Sequence, residues 1–387
     1  MIFHQPAKLF FGSGEIKNIQ DIVRNELRSG NSLLITDKGL TQTGLPEKIL
    51  AELEIREVFD SVEQNPTSLT VNRIGALARR IKPDLIIGLG GGSVLDAAKA
   101  ASVLTTNPGL IEDYEGSAKQ SEAPLPMLAV PTTCGTGSEV TRGAVITDTR
   151  RRFKMSVKSA QMYPRAALVD PDLLATLPRS VVASTGLDAL THAIEAYTSR
   201  PANLITDQFA LQATKLVLGS IEAAHQDVAR HKEAREALMY GSTLAGFAFG
   251  NSDVGAVHCL AESLGGLYDT PHGVANAIFL PFVMKFNLRV SAERYKDLAA
   301  AAGIREENSL KAASKLIERI VAISRNLNIP GFSDLGIDRG QFARIAEASV
   351  QNGSNPSNPR QAGIQDYVGI LEEALAGGGA EGIEHRA

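Results

Sequence analysis

A doubly wound, mostly parallel α/β domain of Rossmann-like build, followed by an all-α domain, is the fold class this sequence predicts. Three observations predict it. Short β-rich runs alternate with amphipathic stretches through the first half, the pattern of a parallel sheet covered by helices. One of those runs, Asp84-Leu85-Ile86-Ile87-Gly88-Leu89, passes into a glycine cluster and then a helix. After Asp170-Pro171-Asp172 the strand signals stop, and Ala- and Leu-rich segments with helical spacing take over.

The elements follow in order. A first strand is expected over residues 8–11. Runs 32–36, 84–89 and 127–130 are continuously apolar, as strands buried on both faces are. Between the strands, residues 15–28, 45–53, 68–81 and 94–105 carry helical periodicity, and further β-like runs fall at 143–147, 153–157 and 166–169. Pro178-Arg179-Ser180 marks a helix start, and helices are expected over 180–198, 207–224, 233–246, 276–287, 310–327 and 366–376. The expected domains are therefore 1–180 and 181–387, with ligands in the cleft between them. The stretch Ala376-Gly377-Gly378-Gly379-Ala380 is expected to fray.

Composition narrows the function classes. A chain of 387 residues is long for one domain, and 44% hydrophobic with 21% charged residues describes a globular protein with ample core. A formal charge of −4 gives no electrostatic reason to expect nucleic acid or an anionic membrane as partner. The start, Met1-Ile2-Phe3-His4-Gln5-Pro6, lacks the build of a signal peptide, and no apolar run reaches a membrane span. Cys134 and Cys259 cannot form a disulfide framework, so a reducing cytoplasm is the expected location.

The helical half carries the strongest chemical signal. In Gly186-Leu187-Asp188-Ala189-Leu190-Thr191-His192, Asp188 and His192 stand four apart and share a helix face. His258 and His272 follow, with Gly265, Gly266 and Pro271 expected to break and turn the chain between them. One oxygen and three nitrogens suit Fe²⁺, Zn²⁺ or Mn²⁺ better than Ca²⁺ or Mg²⁺. Taken singly, a histidine in an apolar helix is more often a core residue, and an Asp–His spacing of four a surface pair. Both halves together, in a chain with seven histidines, favour a metal site.

Two turns in the first half point to a phosphate-bearing ligand. Gly90-Gly91-Gly92-Ser93 opens a helix whose free N–H groups and positive dipole end would meet a pyrophosphate. The spacing departs from G-x-G-x-x-G, and the plainer alternative is a turn capped by Ser93 with Asp96 and Lys99 as a surface pair. The second turn, Pro131-Thr132-Thr133-Cys134-Gly135-Thr136-Gly137-Ser138-Glu139, is dense in hydroxyls that suit a nucleotide or substrate edge. Asp37, just past a strand, either accepts from an adenosine ribose, which favours NAD over NADP, or merely caps a helix. It precedes the glycines in sequence, so only an unusual strand order would bring it beside them.

Together these motifs resemble the iron-containing, or group III, alcohol dehydrogenases. The resemblance runs through the glycine and hydroxyl turns, Asp170-Pro171, the block from Gly186 to Glu195, Pro271-His272-Gly273 with Asn276-Ala277, and Asn358-Pro359-Arg360. It implies one divalent metal, most often Fe²⁺, held by Asp188, His192, His258 and His272. It also implies NAD contacted by Asp37, Gly90, Gly91, Gly92, Ser93, Asp96, Thr132, Thr133, Ser138 and Lys154, and Phe249 lining the nicotinamide and substrate pocket. The implied reaction is reversible hydride transfer between a small alcohol and its aldehyde or ketone, the metal acting as Lewis acid. Homodimers or larger homo-oligomers are implied as well.

Two positions depart from the family pattern. Glu262 stands where a second histidine is common, and Asp253 where a small or apolar residue is. On a helix Glu262 shares a face with His258, so both acids are candidates for contact with a polar substrate group, Glu262 also for proton relay; a salt bridge is its plainer alternative. Cys134 and Cys259 lack the partners a nucleophile needs. Two other classes share most of these features: a metal-dependent lyase or synthase of the dehydroquinate synthase type that uses NAD transiently, and a relative that binds metal without catalysis.

Overall fold

The computed structural model describes residues 2–53 and 55–377; residues 378–380 of the expected frayed stretch lie outside them. The chain divides into two compact units, one spanning residues 4–176, the other starting at Leu177 and taking in Phe3.

The first unit is built on a six-stranded, all-parallel sheet in the order β1-β9-β6-β4-β2-β3. Its strands are β1 (Lys8–Phe11), β2 (Ser32–Ile35), β3 (Ile55–Phe59), β4 (Leu85–Gly90), β6 (Met127–Pro131) and β9 (Ala166–Val169). Alternation along the strands sends neighbouring side chains to opposite faces. Leu33, Ile35, Ile86 and Ala129 join the core under α4 (Ser68–Ile81) and α5 (Gly92–Thr106). Leu34, Ile87, Leu89, Leu128 and Leu168 join Ile19, Ile22 and Ile49 on the other face, where α1 (Ile19–Asp21) and α3 (Leu45–Glu52) pack. Both faces are thus covered, which explains the unbroken apolar runs. A small second sheet places β8 (Phe153–Lys158) between β5 (Gly116–Ser117) and β7 (Gly143–Asp148).

Strand order has one functional consequence. From β2 the chain steps outward to β3, then returns to β4 and proceeds the other way to β6 and β9. The reversal between β2 and β4 is a topological switch point, where ligands of doubly wound sheets bind beyond the carboxyl ends of the strands. Asp37 follows β2 and the glycine turn follows β4, so the two are neighbours despite their order in sequence.

The second unit is helical: α6 (Arg179–Thr198), α7 (Leu204–Gln226), α8 (Lys232–Gly250), α9 (Ala256–Tyr268), α10 (His272–Ala301), α11 (Ser309–Asn326), α12 (Phe342–Gln351) and α13 (Ile364–Leu375). Helix α6 lies at its centre, with every residue from Gly186 to Thr198 buried. Phe3 belongs here because its ring stacks on Phe209 of α7 at 5.7 Å.

Three local expectations are corrected, and two elements are unmarked in the sequence. Gly265 and Gly266 lie inside α9; the break comes at Asp269, which takes a left-handed conformation with φ 56°, just before Pro271. Packing of the buried Gly265 outweighs the roughly 1 kcal/mol a helical glycine costs. Helix α10 begins at His272 and runs through Pro281 to Ala301, well beyond the span 276–287 that apolar spacing alone marks. In place of one helix over 15–28, residues 15–26 form successive 3₁₀, α and π turns. Strand β3, an edge strand carrying Arg56 and Glu57, and helix α12 gave no clear signal.

Candidate metal centre

Helix α6 presents Asp188 and His192 on one face, α9 brings His258, and His272 opens α10 directly after Pro271. One ligand atom from each of the four lies within 4.8 Å of all the others. Asp188, His192 and His258 side chains are 2%, 6% and 3% exposed, and His272 is 26% exposed, so the cluster opens to one side past His272. Phe249 of α8 stacks on the His192 ring, centroids 4.3 Å apart, and restrains its rotation.

A second layer sets the protonation of these ligands. Glu195, one further turn along α6, accepts from His258 Nδ1 at 2.5 Å and from the Val257 backbone N–H at 2.8 Å. With the proton held on Nδ1, the Nε2 lone pair of His258 points into the cluster. Burial by itself would lower the His258 pKa, but the Glu195 hydrogen bond and charge raise it above the ordinary imidazole value. Burial likewise pushes Asp188 up, while His192, His272 and His258 draw it below the usual carboxylate range.

Asn276, four residues into α10, tests whether these residues fit a cation. Its Nδ2 lies 2.6 Å from Asp188 Oδ1 and 3.2 Å from both His258 Nε2 and His272 Nε2. Three acceptors converge on one nitrogen that carries two hydrogens, while Asn276 Oδ1 is buried with no hydrogen-bond partner. Converging lone pairs of one carboxylate oxygen and imidazole nitrogens are a donor set for a borderline divalent ion. The residues present fit such a metal.

Glu262 and Asp253 lie in the same unit but are engaged elsewhere. Glu262 accepts from Asn352 Nδ2 of α12 at 2.6 Å. Asp253 accepts from Ser354 Oγ at 3.0 Å and Ser357 Oγ at 2.7 Å, tying the α8–α9 connection to the turn before α13. Cys259 is fully buried, and burial pushes its thiol well up, away from nucleophilic reactivity.

The turns of the first unit form one assembly. Helix α5 opens at Gly91 with no side-chain cap and no acid in its first turn; Ser93 is inside the helix and does not cap it. A Cβ on Gly92 would lie 2.4 Å from Thr136 Cγ2, so glycine is required there for the two turns to touch. Ser138 Oγ donates to Asp96 Oδ1 at 2.6 Å, and the Val145 N–H donates to Asp96 Oδ2 at 2.8 Å. Lys99 is buried, contrary to the surface-pair alternative. Lys154 is buried too, its Nζ 2.7 Å from Asn65 Oδ1. The Thr132 backbone N–H donates to the Gly90 carbonyl at 3.0 Å, and Thr133 is half-buried. Asp37 caps α2 (Lys38–Thr41), accepting from the Leu40 N–H at 2.9 Å through Oδ1.

A switch-point glycine turn in one unit and a metal-ligand cluster in the other mark the class of protein as a metal-dependent enzyme with a nucleotide-type fold. The sequence pattern of the iron-containing alcohol dehydrogenases matches residues 6–171, and the pattern of that family's C-terminal part matches residues 182–375. The chain belongs to the iron-containing alcohol dehydrogenase family. It is similar to the 1,3-propanediol dehydrogenase of Klebsiella pneumoniae, 39% identical over 381 residues that cover 96% of this chain and 97% of that one. The solved structure of a 1,3-propanediol oxidoreductase superposes with a TM-score of 0.92 at 38% identity, covering 97% of this chain and 100% of that chain. The sulfoacetaldehyde reductase of Bifidobacterium kashiwanohense, solved with NAD⁺, gives 0.88 at 27% identity, covering 97% and 98%. The chain is an NAD-dependent alcohol dehydrogenase, and its family works with NAD(H) and a divalent metal.

Two residues of the cluster's surroundings had no role assigned from sequence, Glu195 and Asn276. Each carried a signal: an acid in the apolar run Ala193-Ile194-Glu195-Ala196, seven residues after Asp188, and an amide four residues after His272. No helix among the described residues is long and apolar enough to cross a membrane.

Proposed function

We propose that the chain interconverts a short alcohol or diol and its aldehyde or ketone, using NAD and one Fe²⁺ held by Asp188, His192, His258 and His272. The observation that carries this is the convergence of four ligand atoms, three of them from buried residues, within 4.8 Å. The bound ion supplies Lewis acidity to an alcohol or carbonyl oxygen, and NAD supplies the hydride acceptor.

The chain's residues do the rest by placement. Glu195 keeps the His258 proton on Nδ1. Phe249 fixes the His192 ring, and burial of three of the four ligands excludes water from the inner side of the centre. Substrate enters on the open side, past His272. The short-alcohol reading is supported by the likeness to a 1,3-propanediol dehydrogenase. The Asn352 contact of Glu262 and the serine contacts of Asp253 support reading both acids as anchors of their local structure.

The cofactor reading assigns the glycine turn, Thr132, Thr133, Ser138 and Lys154 to NAD, with Asp96 holding Ser138. Asp37 at the switch point supports NAD over NADP, because its charge repels a 2′-phosphate. The test is metal-stripped protein reloaded separately with Fe²⁺, Zn²⁺ or Mn²⁺ and given 1,3-propanediol, ethanol or methanol with NAD or NADP. Net absorbance of reduced cofactor, highest with Fe²⁺ and weak with NADP, is expected. Equal turnover by protein that holds no metal would overturn the proposal.

A further inference from the structure

Lys99 is the one fully buried lysine among the described residues, with its side chain 1% exposed. It stands on α5, two turns beyond the glycines. Its ammonium points out of the helix into the segment that follows β6. There it donates to the Ser138 carbonyl at 3.0 Å, to Thr141 Oγ1 at 3.3 Å and to the Gly143 carbonyl, with Asp96 Oδ1 at 3.5 Å. Burial pushes the ammonium below the ordinary lysine range, and the charges of Asp96 and Glu139 oppose that shift.

A buried ammonium is a poor way to gain stability. Its desolvation cancels most of what its contacts supply, and an apolar side chain of similar volume often serves as well. Its geometric effect is different. Three acceptors spaced along residues 138–143 are gathered onto one point of α5, and Asp96, one turn earlier on α5, holds Ser138 Oγ and the Val145 N–H. The hydroxyl-rich turn is thereby tied to the helix that the glycine turn opens. In the same turn, Thr136 seats against Gly92, where a Cβ would lie 2.4 Å from its Cγ2.

We propose that Lys99 is a positioning residue for NAD: it locks segment 138–143 to α5, so that the glycine and hydroxyl turns present one rigid surface to the cofactor. The inference rests on the reading that these turns hold NAD. It places Lys99 one layer behind that surface, with no contact to substrate.

The test uses the full-length, metal-loaded enzyme. K99M keeps the volume and removes the donors. NAD affinity measured by calorimetry should fall at least about tenfold, the worth of one hydrogen bond to a charged group. Bound metal and kcat at saturating NAD should stay within about twofold of the parent, and amide exchange should quicken over 138–143. If K99M does not fold, T141V removes one acceptor of the ammonium and should weaken NAD about threefold. A lower Tm with unchanged NAD affinity would reduce Lys99 to a structural residue and overturn the proposal, as would unchanged affinity in a folded T141V where K99M fails. A G91V variant separates the two ideas. If G91V leaves NAD binding intact, the cofactor reading is wrong. If G91V weakens NAD and K99M does not, only the role of Lys99 is.

Discussion

Glu195 is the residue whose chemistry reaches furthest beyond its own contacts. Its carboxylate meets His258 Nδ1 and the first turn of α9, so it fixes both a tautomer and a helix start. Carboxylates behind metal-bound histidines are typically worth about 10–100-fold in metal affinity. E195Q should therefore lose metal by about that factor, measured by competition with a chelator, while NAD affinity holds. Unchanged metal affinity would remove Glu195 from the centre. Acid should act on the same pair. The raised pKa of His258 lets protons compete with a metal for this imidazole, so metal affinity should weaken progressively as pH falls.

At the scale of elements, the centre depends on how closely α10 approaches α6. Gly273, the second residue of α10, faces the α6 backbone: a Cβ there would lie 2.5 Å from the Ser184 carbonyl oxygen and 3.4 Å from Asp188 Cβ. Backbone cannot yield as a flexible side chain would. G273A should push the start of α10 outward and carry His272 away from Asp188. We expect metal affinity to fall more than about tenfold with helical circular dichroism preserved, since a ligand-orienting change is worth that much. A variant that binds metal normally would show that α10 adjusts along its length.

For the whole molecule, the ligand cluster lies within one compact unit and the glycine turn within the other. The metal should therefore stabilise the helical unit by mass action, about 2.7 kcal/mol at a hundred times its dissociation constant. For a unit of this size that is about 5–10 °C in Tm. Chelation should lower the melting of the helical unit by that amount, and added NAD should not restore it. A Tm indifferent to chelation would mean that the four side chains do not share an ion.

Much of this was legible in sequence because its causes are local. Apolar runs mark the buried strands, spacing puts Asp188 and His192 on one face, and glycines before a helix mark the turn after β4. These signals survive in a linear string because period and composition do not depend on distant partners. What only the tertiary structure decided is where separate segments meet. Strand order brought Asp37 beside the glycine turn, and helix packing overruled Gly265 and Gly266 to carry α9 unbroken to Asp269. Glu195, Asn276 and Lys99 acquired their tasks only from neighbours 63, 88 and 39 residues away in sequence. A buried polar side chain is defined by the groups that close around it, and that enclosure is a property of packing, which no local pattern encodes.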